Sequence, residues 1–255
     1  MSHTHIIALH GNGGGGFRFA RLHPFVPEHI TLHTPTLPGF ADVPKDPNLV
    51  SLADYAAHIK AIIDSVPTPR ILLGHGIGGS IVLEYLQHYP DSVQGVILHA
   101  PVGAQLEQRR FPKLMKLPGM AELGKQVFAS PLFRPLWTRL LFHGEVPEDY
   151  LRQFFAEYRH CTVFRQMFDL ITAAWFAGLE ARATPAVLLW GEREKVLRVE
   201  QLEAFLQVLP AAQRVTVPEW DHFAMIDDPQ AYMTQVASLA DRLLAKNPVQ
   251  DVVRQ

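Results

Sequence analysis

Apolar residues recur along the chain in two alternating rhythms. Short β-rich runs at His5–Leu9, Ile30–Thr34, Arg70–Gly74 and Val93–His99 read as strands. Between them, Ser51–Val66 places Leu52, Tyr55, Ala56, Ile59, Ile62 and Ile63 at the spacing of a helical stripe, and Ile77–His88 reads as a further helix. Ser51 and Asp54 stand three apart at the start of the first helix, where each side chain can satisfy the other's backbone N–H as a capping box. Strand alternating with helix in this way predicts a parallel sheet covered on both faces.

The rhythm stops near Pro101. Beyond it the chain is helical in period, rich in aromatic residues and punctuated by Pro112, Pro118, Pro131, Pro135 and Pro147, with no strand signal. It then resumes with a strand at Ala186–Trp190, a helix at Glu200–Val208, a strand at Arg214–Val217 and a closing helix at Pro229–Ala245. A helical block set between two strands of a sheet is expected to lie over the sheet's carboxyl edge. The chain is therefore divided into a core of residues 1–101 and 184–246, a helical cap of residues 102–183 and a flexible tail of residues 247–255. Phe111, Phe128, Trp137, Phe164 and Trp175 in the cap imply an apolar pocket beneath it.

Composition narrows the partner. The 255 residues are 48% hydrophobic, enough for a substantial core, and 23 Lys+Arg against 25 Asp+Glu leave a formal charge of −2. No overall field then draws the chain to nucleic acid or to a membrane, and a small apolar molecule is the expected partner. Cys161 is the single cysteine, which excludes an internal disulfide framework and a zinc site built on several thiolates. The 13 histidines are scattered, without a His-Glu-x-x-His spacing, so neither a metal nor another cofactor is expected. The start of the chain has no basic segment followed by a long apolar one, and no apolar run reaches the roughly 20 residues that span a bilayer. A cytoplasmic setting is expected.

Two glycine-rich turns each end a strand and open toward a helix. Both fit G-x-G-x-x-G, through Gly11, Gly13 and Gly16 and through Gly74, Gly76 and Gly79. A dinucleotide site needs an acid about 20 residues further on to bind the ribose hydroxyls, and the segments there, Thr34–Thr36 and His99–Ala100, hold no carboxylate. No Gly-Lys-Ser/Thr follows either turn, so the phosphate-binding loop fails as well.

The same turns fit a different pattern. Ile71-Leu72-Leu73-Gly74-His75-Gly76-Ile77-Gly78-Gly79 resembles the strand, elbow and helix of the α/β-hydrolases, whose motif is G-x-S-x-G, and His10-Gly11-Asn12-Gly13 resembles their oxyanion loop. Leu37-Pro38-Gly39-Phe40, Trp190-Gly191-Glu192-Arg193-Glu194 and Asp221-His222-Phe223 follow in the family's order, so the resemblance covers nearly the whole chain. It implies an α/β-hydrolase fold, a mostly parallel, doubly wound sheet with an inserted helical cap. It also implies His222 as general base and Glu194 as the acid that orients it, with Glu192 and Asp221 as alternatives for the acid. The backbone N–H groups of Asn12 and Ile77 would be the oxyanion donors.

One position departs from the family. Gly76 stands where the nucleophilic serine is expected, while Gly74 and Gly78 keep the small residues of the turn. Glycine suits the strained backbone of such an elbow, so the elbow can persist without its reactive atom. Four readings follow. Water activated by His222 attacks an ester, a lactone or a C–C bond beside a ketone. Alternatively the chain is a catalytically silent pseudo-hydrolase that binds a ligand, or a cofactor-free oxygenase working through a His–acid dyad. The fourth is a serine hydrolase whose nucleophile has been replaced. Ser80, His75 and Cys161 are not expected to substitute, the first because it points away along the helix, the second because it projects differently from the elbow residue, the third because it lies in the cap.

Overall fold

The apolar runs become six strands in the computed structural model, which describes residues 3–246. They are β1 (Thr4–Leu9), β2 (Ile30–His33), β3 (Arg70–His75), β4 (Gly95–His99), β5 (Ala186–Gly191) and β6 (Gln213–Val217). All pair in parallel in one sheet, in the order β2-β1-β3-β4-β5-β6. Strand pleating sends alternate side chains to opposite faces. Ile7, Leu9 and Leu72 thus join the cluster of α1 (Leu52–Asp64) and α2 (Ile77–His88), whereas Ile6, Ala8, Ile71 and Leu73 meet the residues of the closing helix on the other face. The central strands are buried on both sides, which is why they read as unbroken apolar runs. The edge strand β6 exposes Gln213, Arg214 and Thr216, a polar edge that discourages further pairing.

Helix α1 starts at the capping box: the Asp54 N–H donates to Ser51 Oγ at 3.1 Å, and the Ser51 N–H donates to Asp54 Oδ2 at 2.7 Å. Between β4 and β5 lie only helices: α3 (Arg110–Met115), α4 (Met120–Phe128), α5 (Arg134–Leu141), α6 (Glu148–His160), α7 (Phe164–Leu170) and α8 (Ala173–Ala177). After β5 come α9 (Leu202–Phe205), then β6, α10 (Ala224–Asp227) and α11 (Pro229–Lys246). The tail expected at 247–255 lies outside the described residues.

Two segments differ from the sequence-based expectation. The helix expected over Glu200–Val208 is regular only at α9, preceded by a 3₁₀ turn at Val199–Gln201. The N–H groups of Leu206, Gln207 and Val208 reach back three residues instead of four, so the segment tightens to a 3₁₀ period while burying Leu202, Phe205 and Val208. A 3₁₀ segment at Gly16–Phe25 was not expected at all. It is anchored by Arg18, whose Nε lies 3.2 Å from Glu157 Oε2 with both side chains buried.

The strand order fixes where a ligand fits. From β1 the chain moves to β2 on one side, then crosses to β3 on the other, so the connections diverge at the carboxyl ends of β1 and β3. Open parallel sheets bind ligands at such a switch point. Here it brings His10-Gly11-Asn12 beside His75-Gly76-Ile77.

Candidate active site

The turn after β3 is sharp because of its glycines. Gly76 has φ 55° and ψ −118°, a left-handed conformation that L side chains resist. A Cβ on Gly78 would sit 2.3 Å from the Leu9 carbonyl oxygen, so β1 can approach the start of α2 only while that position is bare. At Gly76 the situation is the reverse: an added Cβ would touch only the Gly11 Cα, at 3.5 Å. The space at the apex is open.

His222 stands beside this turn, its ring 4.6 Å from that of His75. Its Nδ1 lies 2.7 Å from Glu194 Oε2, with the Glu194 side chain fully buried and the imidazole 12% exposed. Glu194 Oε1 accepts the N–H groups of Val196 and Leu197 at 2.6 and 2.9 Å, which fixes the carboxylate as an acceptor toward the ring. Nδ1 therefore carries the proton and Nε2 keeps its lone pair. His222 lines the cavity together with Gly76, Ile77, Gly11 and Asn12.

The other two acids near the motif have separate tasks. Glu192 accepts from Thr216 Oγ1 at an exposed edge, 3.1 Å away. Asp221 receives the His222 and Lys195 N–H groups on Oδ1 and meets His143 Nε2 and Lys195 Nζ on Oδ2, each at 3.0 Å. Burial pushes the Asp221 carboxyl up, but these hydrogen bonds outweigh it and hold it below its ordinary value. Asp221 thereby ties the loop between α5 and α6 to the loop that carries His222.

Three buried histidines, His10, His75 and His99, brace the site from behind. The Leu37 N–H donates to His10 Nε2 at 3.1 Å, so Nδ1 holds the proton and donates to the Gly11 carbonyl at 3.0 Å. This clamps the loop that presents Asn12. His75 Nε2 donates to the His222 carbonyl at 3.0 Å, and the two rings lie 4.6 Å apart. His99, beneath His75, meets the Tyr232 hydroxyl at 3.1 Å. Burial lowers all three, His10 to about 4 and His99 to about 3, so they are neutral near pH 7.

Among the described residues, neither the Asn12 nor the Ile77 N–H has a hydrogen-bond acceptor, and Ile77 opens α2, where first-turn amides have no partner within the helix. Asn12 and Ile77, whose amides have no acceptor, thus line one cavity with Gly76 and His222.

These features match a family. A model of the alpha/beta hydrolase family matches residues 6–235. The chain belongs to the alpha/beta hydrolase family. An uncharacterized protein of Mycobacterium tuberculosis is 22% identical over 92% of this chain and 75% of its own length. Among solved structures, an esterase from Exiguobacterium antarcticum superposes with a TM-score of 0.73 at 18% identity, covering 94% of this chain and 92% of that one. A haloalkane dehalogenase from Bradyrhizobium elkani gives 0.72 at 18%, over 95% and 91%. At these identities the structural likenesses establish the fold.

Within this alpha/beta hydrolase frame the cavity measures about 1320 Å³. Its walls are mostly apolar and come from the helices between β4 and β5, including Phe111, Leu114, Trp137, Phe164, Met167 and Ile171. Tyr158 and Arg18 add polar groups at the wall nearest the Gly11–Gly14 turn; a Cβ on Gly13 would sit 2.2 Å from the Tyr158 ring. Neither Ser80 nor Cys161 reaches this space. Ser80 Oγ donates to the Val102 carbonyl at 2.6 Å and is fully buried. Cys161 is buried, pushed up to about 12 by desolvation, and is not a wall residue.

Proposed function

We propose that this alpha/beta hydrolase cleaves small apolar carbonyl compounds, an ester, a lactone or a C–C bond beside a ketone, by direct attack of water. The observation that carries the reading is the pairing of His222 with Glu194 beside a turn where Gly76 leaves room. In a serine hydrolase the hydroxymethyl group would fill that room. Here a water fits against His222 Nε2. As its oxygen bonds to the substrate carbonyl carbon, Nε2 takes the proton and the carbonyl oxygen gains the electron pair. The Asn12 and Ile77 N–H groups face the position where that negative charge develops. Collapse of the tetrahedral adduct expels the alkoxide or carbanion, which receives the proton from Nε2. Glu194 balances the imidazolium in between. The helices of residues 102–183 act as the cap over this reaction, supplying its apolar walls and limiting access of bulk water.

Without a covalent intermediate the rate is modest. Loss of a nucleophile in a serine enzyme costs on the order of 10⁶ in turnover, and the oxyanion donors and binding leave roughly 10³–10⁴ over water. The deciding experiment compares hydrolysis of short-chain nitrophenyl esters by the unmodified protein and by His222→Ala. Slow turnover that His222→Ala abolishes is expected. Turnover indifferent to His222→Ala overturns the role of His222, and tight binding without any product favours a silent receptor.

A further inference from the structure

The overall charge of −2 averages over two regions of unlike sign. From Arg110 to Leu141, the stretch of α3, α4 and α5, six lysines and arginines accompany a single acid, Glu122. That segment carries a formal +5, and the remainder of the chain −7. Lys125, Lys116 and Arg134 pair with Glu122, Asp169 and Glu148, respectively. Among the described residues, Arg110, Lys113 and Arg139 are exposed and have no acidic partner.

The same stretch breaks the rule that large apolar side chains are covered. Of twelve large hydrophobic residues exposed among the described residues, eight lie between Phe111 and Leu140. Leu132 is 79% exposed, Leu123 55% and Leu117 53%. Scattered exposed leucines need no explanation, but a concentration on three consecutive helices marks a surface that is covered in use. The surface also leads inward. Phe111, Lys113, Leu114 and Leu123 are exposed and at the same time line the cavity above Gly76.

We infer that the α3–α5 face docks on the surface of an anionic phospholipid bilayer, with its leucines among the acyl chains, its free cations at the headgroups and the cavity mouth turned to the lipid. Interfacial helices combine apolar and basic residues in this manner. No described helix is long and apolar enough to cross a membrane, so the contact is peripheral. A second copy is the other natural cover for an apolar face. In a two-fold dimer each subunit would set its own +5 segment against the other's, an arrangement that like charges oppose. An amphiphile held in the bilayer would enter the cavity without crossing water. The inference concerns binding alone, so it stands or falls independently of turnover.

Co-sedimentation with vesicles tests it. The full chain is expected to bind vesicles containing phosphatidylserine and to bind pure phosphatidylcholine vesicles at least about tenfold more weakly. High salt should release it, a readout that needs no variant. Arg110→Glu, Lys113→Glu and Arg139→Glu combined, all exposed changes, should abolish the preference. Leu132→Ser with Leu136→Ser should weaken binding to both vesicles. Failure of the unmodified protein to bind either vesicle, or equal binding to both, overturns the proposal. So does a salt-insensitive self-association that Leu132→Ser with Leu136→Ser dissolves, which would assign the face to a second copy.

Discussion

Nδ1 of His222 lies 2.7 Å from Oε2 of Glu194, a carboxylate held in place by the N–H groups of Val196 and Leu197. The imidazole, a wall residue of the cavity, is thereby held in the tautomer with the proton on Nδ1. Glu194→Gln keeps the shape but can offer its NH₂ to the ring, which would favour the opposite tautomer. Ester hydrolysis is expected to fall by about 10²–10⁴ in kcat with little change in KM. Restoration by Glu194→Asp is not expected, since one missing methylene withdraws the oxygen from Nδ1. Steady-state kinetics of the three proteins checks this, and wild-type kcat in Glu194→Gln would remove Glu194 from the mechanism.

Gly76→Ser should combine two opposite effects. A Cβ there meets only the Gly11 Cα, at 3.5 Å, so a hydroxyl fits at the turn, and nitrophenyl ester hydrolysis is expected to rise at least about tenfold with a burst of acyl-enzyme. The φ of 55° strains any L side chain, so stability should fall by roughly 1–3 kcal/mol. Gly76→Ala should lose similar stability without the gain. A folded Gly76→Ser protein with no gain would show that Asn12, Ile77 and His222 are not poised around that apex.

Much of this arrangement was legible in the sequence, and the reasons for the rest are physical. The strands of the central sheet and the Ser51–Asp54 cap depend on local period and local hydrogen bonds, which a sequence displays directly. The resemblance put Glu194 first but left Glu192 and Asp221 open as alternatives. The choice among them depends on how the loop after β5 curls, which the Glu194 carboxylate itself sets by accepting amides two and three residues ahead. The bracing by His10, His75 and His99 was hidden too, because each becomes buried only when β1, β3 and β4 pack against one another and, for His99, against Tyr232. A charge of −2 likewise conceals its own segregation: the stretch 110–141 combines a formal +5 with exposed leucines, and the exposure of those leucines is set by tertiary packing.

Gly78→Ala tests the turn itself. Its Cβ would stand 2.3 Å from the Leu9 carbonyl oxygen, a backbone atom at the end of β1 that has little freedom to retreat. A loss of about 1–3 kcal/mol in denaturant unfolding is expected, together with loss of any esterase activity, because β1 leads into the loop that holds Asn12. Stability equal to the parent's would mean that β1 and α2 can separate without cost.

The buried histidines make stability depend on pH. The ordinary imidazole value is 6.5; burial lowers His10 to about 4 and His99 to about 3, and drives His75 down in the same direction. Above pH 6.5 these rings are neutral in both the folded and the unfolded chain and contribute no slope. As pH falls from 6.5 toward 4, the unfolded chain takes up protons that the folded chain excludes, so stability decreases by up to about 1.4 kcal/mol per pH unit for each ring. The contribution of His10 levels off near pH 4 and that of His99 near pH 3. Glu157 and Asp227, both pushed up by burial, act in the opposite sense because they take protons first in the folded chain. Comparing the parent with His99→Gln isolates the imidazole: urea unfolding at several pH values between 7 and 5 should give a shallower slope in the variant. Equal slopes would mean that His99 is protonated in the folded protein, which would contradict its burial between His75 and Tyr232.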